Sequence, residues 1–187
     1  MKATISHYLD IISKIFKSEL VKKRIAVAFT GPSNSGKTTL IVKVAELLIN
    51  RHNLEVAIIK NDPKDKAHFD VGGKDSYKFS QTGAEVVVTS PTRTTLFSQR
   101  KKELDEIVEL FKDFDVLLVE GLKTLPLPRI GIFRDKIDES YFERMEAIAT
   151  DNTINLNEYD VPSSLTKLDL NNPETVIEWI FNNAKGV

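Results

Sequence analysis

Residues 31–38 read Gly31-Pro32-Ser33-Asn34-Ser35-Gly36-Lys37-Thr38 and satisfy the pattern G-x-x-x-x-G-K-[ST]. A continuous apolar run, Ile25–Thr30, precedes this loop. After it, apolar residues recur with the spacing of one helix face, at Leu40, Ile41, Val44, Ala45 and Leu48. A strand, a glycine-rich loop and a helix in this order form the context in which such a loop binds phosphate. The stretch therefore predicts a nucleotide site.

The residue types in this loop suit phosphate chemistry. Glycines let successive backbone N–H groups converge on phosphate oxygens, and the following helix N-terminus adds a partial positive charge. We expect Lys37 to reach the β- and γ-phosphates and the Thr38 hydroxyl to ligate Mg²⁺. The predicted cofactor-binding residues here are Gly31, Ser33, Asn34, Ser35, Gly36, Lys37, Thr38 and Thr39.

A phosphate-bound Mg²⁺ ordinarily also needs a carboxylate from the end of a nearby strand. Residues 115–121 form a buried-strand pattern that ends in Glu120 and Gly121, as in a Walker B element. Asp62 lies just beyond a second predicted strand, Val56–Lys60. We predict that Glu120 and Asp62 are catalytic and ligate the metal together with Thr38. For each acid, the alternative is an ordinary strand-end carboxylate.

Outward from the loop, short β-rich runs alternate with helical segments. Strands are predicted at 25–30, 56–60, 85–89, 116–119, 130–133 and 146–149, and helices at 37–51, 75–81, 101–111 and 173–183. This alternation predicts an α/β fold of the P-loop NTPase kind, in which these strands form a mainly parallel sheet with helices on both faces. We expect one nucleotide-binding domain at 24–187.

An amphipathic helical extension is predicted at 1–23, before the first strand. Its apolar stripe is expected to pack on the body of the domain or on a second copy of the chain. Six basic residues against two acidic ones in positions 1–24 keep a membrane-surface or partner-binding helix as the alternative.

Composition excludes several classes of protein. The 187 residues suit one domain. Because 26 basic residues face 27 acidic ones, the chain lacks the basic excess of a nucleic-acid binder. It has no cysteine, which excludes disulfides and thiolate metal sites and favours a cytoplasmic location. No apolar run approaches the roughly 20 residues of a transmembrane segment.

Residues 24–182 resemble the MobB family, the molybdopterin-guanine dinucleotide biosynthesis adapter proteins. The resemblance rests on 31–39, on 56–60 leading to Asp62, on 68–70 followed by 73–77, on 83–85, and on 119–123 with 130–134 after it. It implies a GTP-binding protein that uses Mg²⁺, is ordinarily a homodimer and has weak GTPase activity. It also implies that the protein assists the guanylyltransferase that attaches GMP to molybdopterin or its molybdenum-loaded form. The chain departs from the family at Asn61, where a histidine is common, so no imidazole role is expected there.

The segment from Asp70 to Ser76 is a second candidate binding region. Parallel topology would bring this polar loop to the carboxyl end of the sheet, where ligands bind in open α/β folds. We expect Lys74 to meet phosphate and Asp75 or Ser76 to organise the loop. The alternative is a surface turn in which Asp75 or Ser76 caps the next helix. With the resemblance, the cofactor-binding residues extend to Asp70, Lys74, Asp75, Ser76, Gly121 and Lys123, and His68 is assigned no metal.

The guanine-reading residue stays open between two acids. Asp169 ends a T-K-x-D sequence that matches one form of the guanine-reading motif, and Asp151 follows the strand predicted at 146–149.

Two other functional classes share the phosphate loop. A P-loop small-molecule kinase would carry an arginine-bearing lid, which Arg93 and Arg100 do not form in any recognisable pattern. A metal-insertion accessory GTPase would use cysteine and histidine ligands, and this chain has no cysteine and three scattered histidines.

Overall fold

The computed structural model describes residues 24–187. The helix predicted within 1–23 lies outside this range, and both its role and the 23/24 domain boundary stay predictions. The described residues divide into two compact units. The main unit comprises residues 24–61 and Asp113–Val187, and the second unit comprises Asp62–Lys112.

The elements follow the predicted alternation, with three added strands. The strands are β1 (Ile25–Thr30), β2 (Val56–Lys60), β3 (Val86–Thr89), β4 (Thr94–Phe97), β5 (Val116–Glu120), β6 (Arg129–Phe133), β7 (Ala147–Thr150), β8 (Thr166–Asp169) and β9 (Lys185–Gly186). The α-helices are α1 (Lys37–Asn50), α2 (Asp75–Ser80), α3 (Leu104–Phe111) and α4 (Pro173–Asn183). Two 3₁₀ helices, Glu139–Arg144 and Leu156–Glu158, lie between β6 and β8.

The main unit is built on a seven-stranded sheet. Its order is β2-β5-β1-β6-β7-β8 with all neighbours parallel, and β9 pairs antiparallel with the first two residues of β1. After β1 the chain forms β2 at the edge of the sheet on one side and then places β5 between β2 and β1. It then adds β6, β7 and β8 in turn on the other side of β1. The loop after β1 therefore leaves the sheet where the strand order reverses, which is where open α/β sheets bind ligands. The predicted fold class, a mainly parallel α/β sheet with helices, is confirmed.

One face of this sheet packs on α1 and α4. The α1 residues predicted from their spacing are all buried, and Leu40, Val44 and Leu48 are at most 1% exposed. Each such side chain stabilises the fold by roughly 1.5–3 kcal/mol. They pack with Val27 and Phe29 of β1 in the larger core, which also receives Val176, Ile177, Trp179 and Ile180 from α4. This packing fixes the start of α1 directly above the carboxyl end of β1.

A smaller apolar cluster covers part of the other face. It joins Phe133 and Ile148, which alternate along their strands with residues of the larger core, to Tyr141 and Phe142 of the first 3₁₀ helix. The segment between β6 and β7 is therefore anchored to the sheet although it contains no α-helix.

The second unit contains an antiparallel hairpin instead of a strand of the parallel sheet. The sequence places residues 85–89 in the parallel sheet, and this is wrong: β3 pairs with β4 from Val86 opposite Phe97 to Thr89 opposite Thr94. The turn is closed by Ser90, whose N–H donates to the Arg93 carbonyl at 2.9 Å and whose Oγ accepts from the Arg93 N–H at 3.1 Å. This local turn brings β4 back beside β3, so no helix intervenes.

The helix predicted at 101–111 begins later, at Leu104. Glu103 is its N-cap, and a reciprocal capping box joins it to Glu106: the Glu103 N–H donates to the Glu106 carboxylate at 2.8 Å. The capping box satisfies helix-terminal N–H groups and so fixes the first turn. Among residues 24–187, no helix combines the length and apolar character that a membrane span requires.

Candidate functional site

The glycine-rich loop joins β1 to α1 in a conformation that only its glycines allow. Gly31 has φ 140°, and a Cβ there would collide with the Ile132 carbonyl oxygen. Gly36 has φ 93° and is the N-cap of α1, where no side chain caps the helix. The first N–H groups of α1 are therefore left for a ligand, and such a helix terminus attracts anions.

Ser35 gives an independent sign that the loop is built for a polar ligand. Its residue surface is 3% exposed, and its Oγ has no hydrogen-bond partner among the described residues. A buried hydroxyl without a partner costs roughly 1–3 kcal/mol, so native structures usually satisfy it. A phosphate oxygen would supply the missing acceptor, so the loop fits the predicted group.

Lys37 is held at the mouth of the loop. Its Nζ donates to the Pro32 carbonyl at 2.5 Å, and the side chain is half-buried. Burial lowers the pKa of Lys37, Glu120 opposes that shift, and Lys60 and Lys123 add to it. A bound polyanion would relieve this concentration of positive charge. The hydroxyl-bearing Thr38 and Thr39 of the first helical turn are exposed.

Glu120 stands at the carboxyl end of β5, next to the phosphate loop. It pairs in register with Phe29 of β1 and Lys60 of β2. The chain then turns at Gly121, which has φ 90° and donates its N–H to the Phe29 carbonyl at 3.0 Å. A Cβ on Gly121 would stand 3.1 Å from the Asn61 Cβ, so Asn61 packs against this turn.

A buried arginine that sequence reasoning missed shapes the turn after Glu120. Arg129 is 2% exposed and donates to the carbonyls of Gly121, Leu122 and Leu125 at 3.0, 3.2 and 3.1 Å. This turn carries Lys123, whose Nζ lies 4.2 Å from the centre of the Tyr141 ring. Arg129 therefore positions a predicted binding residue through the backbone. Its apolar surroundings gave no sequence signal.

A second missed arginine lies on the opposite side of the loop. Arg134 follows β6, and its Nε donates to Asp151 Oδ2 at 2.8 Å. The other carboxylate oxygen of Asp151 accepts from the Thr153 N–H at 3.1 Å and from its Oγ at 2.5 Å. The Thr153 hydroxyl contributes most to lowering the pKa of Asp151. The two candidate guanine readers are therefore unequal, because both oxygens of Asp151 already accept protein donors.

Asp169 accepts fewer hydrogen bonds than Asp151 does. One of its oxygens accepts from the Asn171 N–H at 2.8 Å, and the residue is exposed. It pairs in register with Thr150 and lines a surface cavity of about 480 Å³ with Asp151, Asn152, Lys167 and Asn171. The next residue, Leu170, would contact a Cβ on Gly36 at 3.6 Å. Asp169 is thus adjacent in sequence to a residue that lies beside the phosphate loop.

The remaining predicted residues belong to the second unit. Asp62 organises its own loop, because its carboxylate accepts the N–H groups of Lys64, Lys66 and Ala67 at 3.3, 2.7 and 2.7 Å. This arrangement is compatible with an ordinary loop-forming acid. The metal role of Asp62 stays a prediction.

The loop at 70–76 is organised by Asp70. Its Oδ1 accepts from the Val71 N–H at 2.8 Å and the Ser76 Oγ at 3.1 Å, whereas its Oδ2 is buried without a partner among the described residues. Lys74 is the N-cap of α2 and no side chain caps that helix, so the alternative in which Asp75 or Ser76 caps it is wrong. Asp75 instead pairs with Lys78 at 3.2 Å. The binding roles of Asp70, Lys74, Asp75 and Ser76 stay predictions.

Within residues 24–187, no three His, Asp or Glu side chains converge on a point that could hold a metal ion. The predicted Mg²⁺ is bound to phosphate as well as to Thr38, Asp62 and Glu120, and it stays a prediction.

Comparison with known proteins gives a consistent result. Residues 26–151 match the family described as "Molybdopterin guanine dinucleotide synthesis protein B". The molybdopterin-guanine dinucleotide biosynthesis adapter protein of Haemophilus influenzae is 31% identical over 90% of this chain and 94% of its own length. A crystal structure of molybdopterin-guanine biosynthesis protein B superposes with a TM-score of 0.64 and 25% identity, covering 84% of this chain and 97% of that one. Bacillus subtilis MobB shares the fold, with a TM-score of 0.64 and 23% identity over 87% of this chain and 99% of its own.

Proposed function

This chain belongs to the MobB family, and we propose that it is a GTP-binding adapter that assists the guanylylation of molybdopterin. The observation that carries the nucleotide half of the proposal is the loop at 31–36, with its uncapped helix start and the unpartnered Ser35 Oγ. The pathway half is supported by the relatives, which are proteins of molybdopterin-guanine dinucleotide biosynthesis.

Mg²⁺ would be held by Thr38 and Glu120, with Asp62 as a further acid, and by the phosphates themselves. When bound, the ion neutralises charge on the phosphate oxygens. Lys37 adds a second positive charge to the same group. The protein's own contribution is then to fix the triphosphate at the carboxyl end of β1, between β5 and β6.

We infer that Asp169 reads the guanine base and that Asp151 does not. Guanine presents an N–H and an amino group side by side, which a carboxylate with free lone pairs accepts. Both acids line the same cavity, but Asp169 is exposed and accepts one bond, whereas the Asp151 side chain is 7% exposed and already accepts three bonds from Arg134 and Thr153.

A base exchange tests this assignment. Xanthine has a carbonyl where guanine has the amino group, so Asp169→Asn should lose GTP affinity and gain XTP affinity, because an amide offers one acceptor and one donor. Asp160→Asn, an exposed acid outside the cavity, is the control. An unchanged ratio of GTP to XTP affinity in the Asp169 variant would contradict the assignment.

The partners follow from the same proposal: the guanylyltransferase, molybdopterin or its molybdenum-loaded form, and a second copy of this chain, all in the cytoplasm. The homodimer is supported by an apolar pair on one face of the hairpin in the second unit, where Val87 and Leu96 lie opposite each other and are 56% and 38% exposed. Exposed apolar groups that adjoin one another commonly mark protein interfaces. Sedimentation of the purified chain would test it.

Reconstitution separates the adapter from an enzyme. Purified protein is mixed with GTP, Mg²⁺ and molybdopterin, in parallel with its molybdenum-loaded form. We expect no dinucleotide from this protein alone, and a higher yield when it is added to the guanylyltransferase. Dinucleotide formed without any other protein would make this chain the enzyme and overturn the adapter proposal.

A further inference from the structure

Additional hydrogen bonds hold the ion pair between Arg134 and Asp151 in place. The Asp151 side chain is 7% exposed and both of its oxygens are bonded. Thr153, which donates to it, accepts in turn the Asp135 N–H at 2.9 Å. The Asp151 carboxylate is therefore held by the loops that follow β6 and β7. It in turn holds the Arg134 guanidinium through Nε.

The rest of the guanidinium faces the phosphate loop. A Cβ built on Gly36 would stand 3.6 Å from Arg134 Nη2 and 3.8 Å from Cζ. The side chain is 41% exposed, and Nη1 and Nη2 have no hydrogen-bond partner within the described part of the chain. Nη2 thus lies beside the last glycine of the loop, and the donors of both terminal nitrogens are unused by the described residues.

The position of β6 indicates which part of a nucleotide these donors would meet. Glu120, the candidate metal ligand, ends β5 on one side of β1, and Arg134 follows β6 on the other side. A triphosphate with its metal-bound end toward Glu120 would turn its nucleoside end toward β6. The cavity containing Asp169 lies on that same side.

We propose that Arg134 is a second phosphate-binding cation of the loop, that it contacts the phosphate next to the ribose, and that Asp151 is its positioning residue. The proposal rests on the nucleotide site proposed above. Arginine suits this task because its planar fork can bond Asp151 by one edge and a phosphate by the other.

Binding measurements with nucleotides of different phosphate length test the proposal. In Arg134→Ala, GTP and GDP affinities should both fall by the same factor, about 10- to 100-fold, because both share the phosphate next to the ribose. Guanosine affinity should not change. Arg134→Gln, which keeps a donor for Asp151 but no charge, should show the same loss. Asp151→Asn should show a smaller loss with the same selectivity for phosphate-bearing ligands.

The matched control is Arg51→Ala. Arg51 follows the far end of the 14-residue helix α1, about 20 Å from its start, and forms an exposed ion pair with Glu174 at 2.5 Å. This variant should bind every ligand as the parent does. Unchanged GTP affinity in Arg134→Ala, a loss confined to GTP, or an equal loss of guanosine would each overturn the inference. Failure of the parent itself to bind GTP would instead overturn the proposed function.

Discussion

Lys37 is the residue on which the nucleotide site depends most directly. Lys37→Ala removes a charge from the phosphates and only one short hydrogen bond, to Pro32, from the folded chain. A charge-assisted phosphate contact is worth roughly 1.5–3 kcal/mol, so we expect GTP affinity to fall by about one to two decades with little change in thermal stability. Titration calorimetry measures the loss, and Lys43→Ala, an exposed lysine on the same helix, is the control. If Lys37→Ala folds and binds GTP with the affinity of the parent, the assignment of the nucleotide site is wrong.

Glu120 and Asp62 can be separated by their effect on the metal. Glu120→Gln keeps the shape and removes the charge, so the Mg²⁺ concentration needed for half-maximal GTP binding should rise. Asp62→Asn should have a comparable effect if that acid also serves the ion. Glu46→Gln, exposed on α1, is the control for the loss of one acid. Unaltered magnesium titrations in both variants would mean that these acids are structural.

At the residue scale, sequence predicts what depends on local spacing. Gly31, Gly36 and Lys37 follow from the loop pattern, and the backbone angles of both glycines agree with it. Arg129 and Arg134 could not be predicted, because their partners come from other loops. Arg134 donates a hydrogen bond to Asp151, which is 17 residues away in the sequence. Its Nη2 lies beside Gly36, which is almost 100 residues away. Contacts of that kind exist only once the parallel strands have aligned their ends.

At the scale of elements, the acid Glu85 ties the β3–β4 hairpin to the segment that follows it. Its carboxylate accepts from Ser98, Lys102 and Arg100 at 2.8, 3.0 and 2.9 Å. The Ser98 hydroxyl first, and then the two cations, lower the pKa of Glu85 to about 2. Because this pKa is depressed in the fold, the carboxylate stabilises the second unit above about pH 4.5, and the effect is lost as the pH falls toward 2.

Glu85→Gln tests this linkage. We expect the parent to unfold at a higher urea concentration than the variant at pH 6, and the difference between their midpoints to shrink at pH 3. Glu109→Gln, an exposed acid of the same unit, should show no such pH-dependent difference from the parent. A midpoint difference that stays constant from pH 6 to pH 3 would show that Glu85 contributes no charge-dependent stability.

Strands with a continuous apolar sequence could be predicted, and short strands of mixed or polar sequence could not. The runs that became β1, β2, β5 and β6 are apolar because neighbouring strands and helices cover them. In contrast, β8 lies at the edge of the sheet, is mostly exposed and has the sequence Thr-Lys-Leu-Asp. This sequence lacks the apolar pattern that predicts a strand, and it matches the T-K-x-D form of the guanine-reading motif instead. β4 and β9 are short and carry little apolar patterning. β4 pairs with β3 through the turn closed by Ser90, and β9 pairs with the first two residues of β1, which β6 leaves unpaired.

At the scale of the whole molecule, periodicity does not reveal that residues 62–112 form a compact unit of their own. The apolar pattern of residues 85–89 predicts a strand, but it does not indicate which strand pairs with it. The candidate binding residues accordingly fall into two sets, one on the main sheet and one in the second unit. Nucleotide chemistry is proposed for the loop and Glu120 from their motif and geometry. The resemblance extends the proposal to Gly121 and Lys123 and to the 70–76 loop, whereas Asp62 is proposed from its place after β2.

The main unit also determines how fast the protein should turn over GTP alone. In the proposed site, the loop and Lys37 would bind the phosphates and Glu120 would bind the metal, whereas Arg134 lies on the β6 side, opposite Glu120. An arginine that stabilises charge on the transferred phosphate is worth on the order of 10³–10⁵ in rate. Since Arg134 faces the other end of the nucleotide, we expect hydrolysis on the order of 10⁻⁴–10⁻² s⁻¹ in a single-turnover assay with Mg²⁺. Arg134→Ala, assayed at saturating GTP, should leave that rate unchanged. Turnover near 1 s⁻¹ by the purified protein would contradict a protein that holds GTP for a partner, and a rate that collapses in Arg134→Ala would place its guanidinium at the reacting phosphate instead.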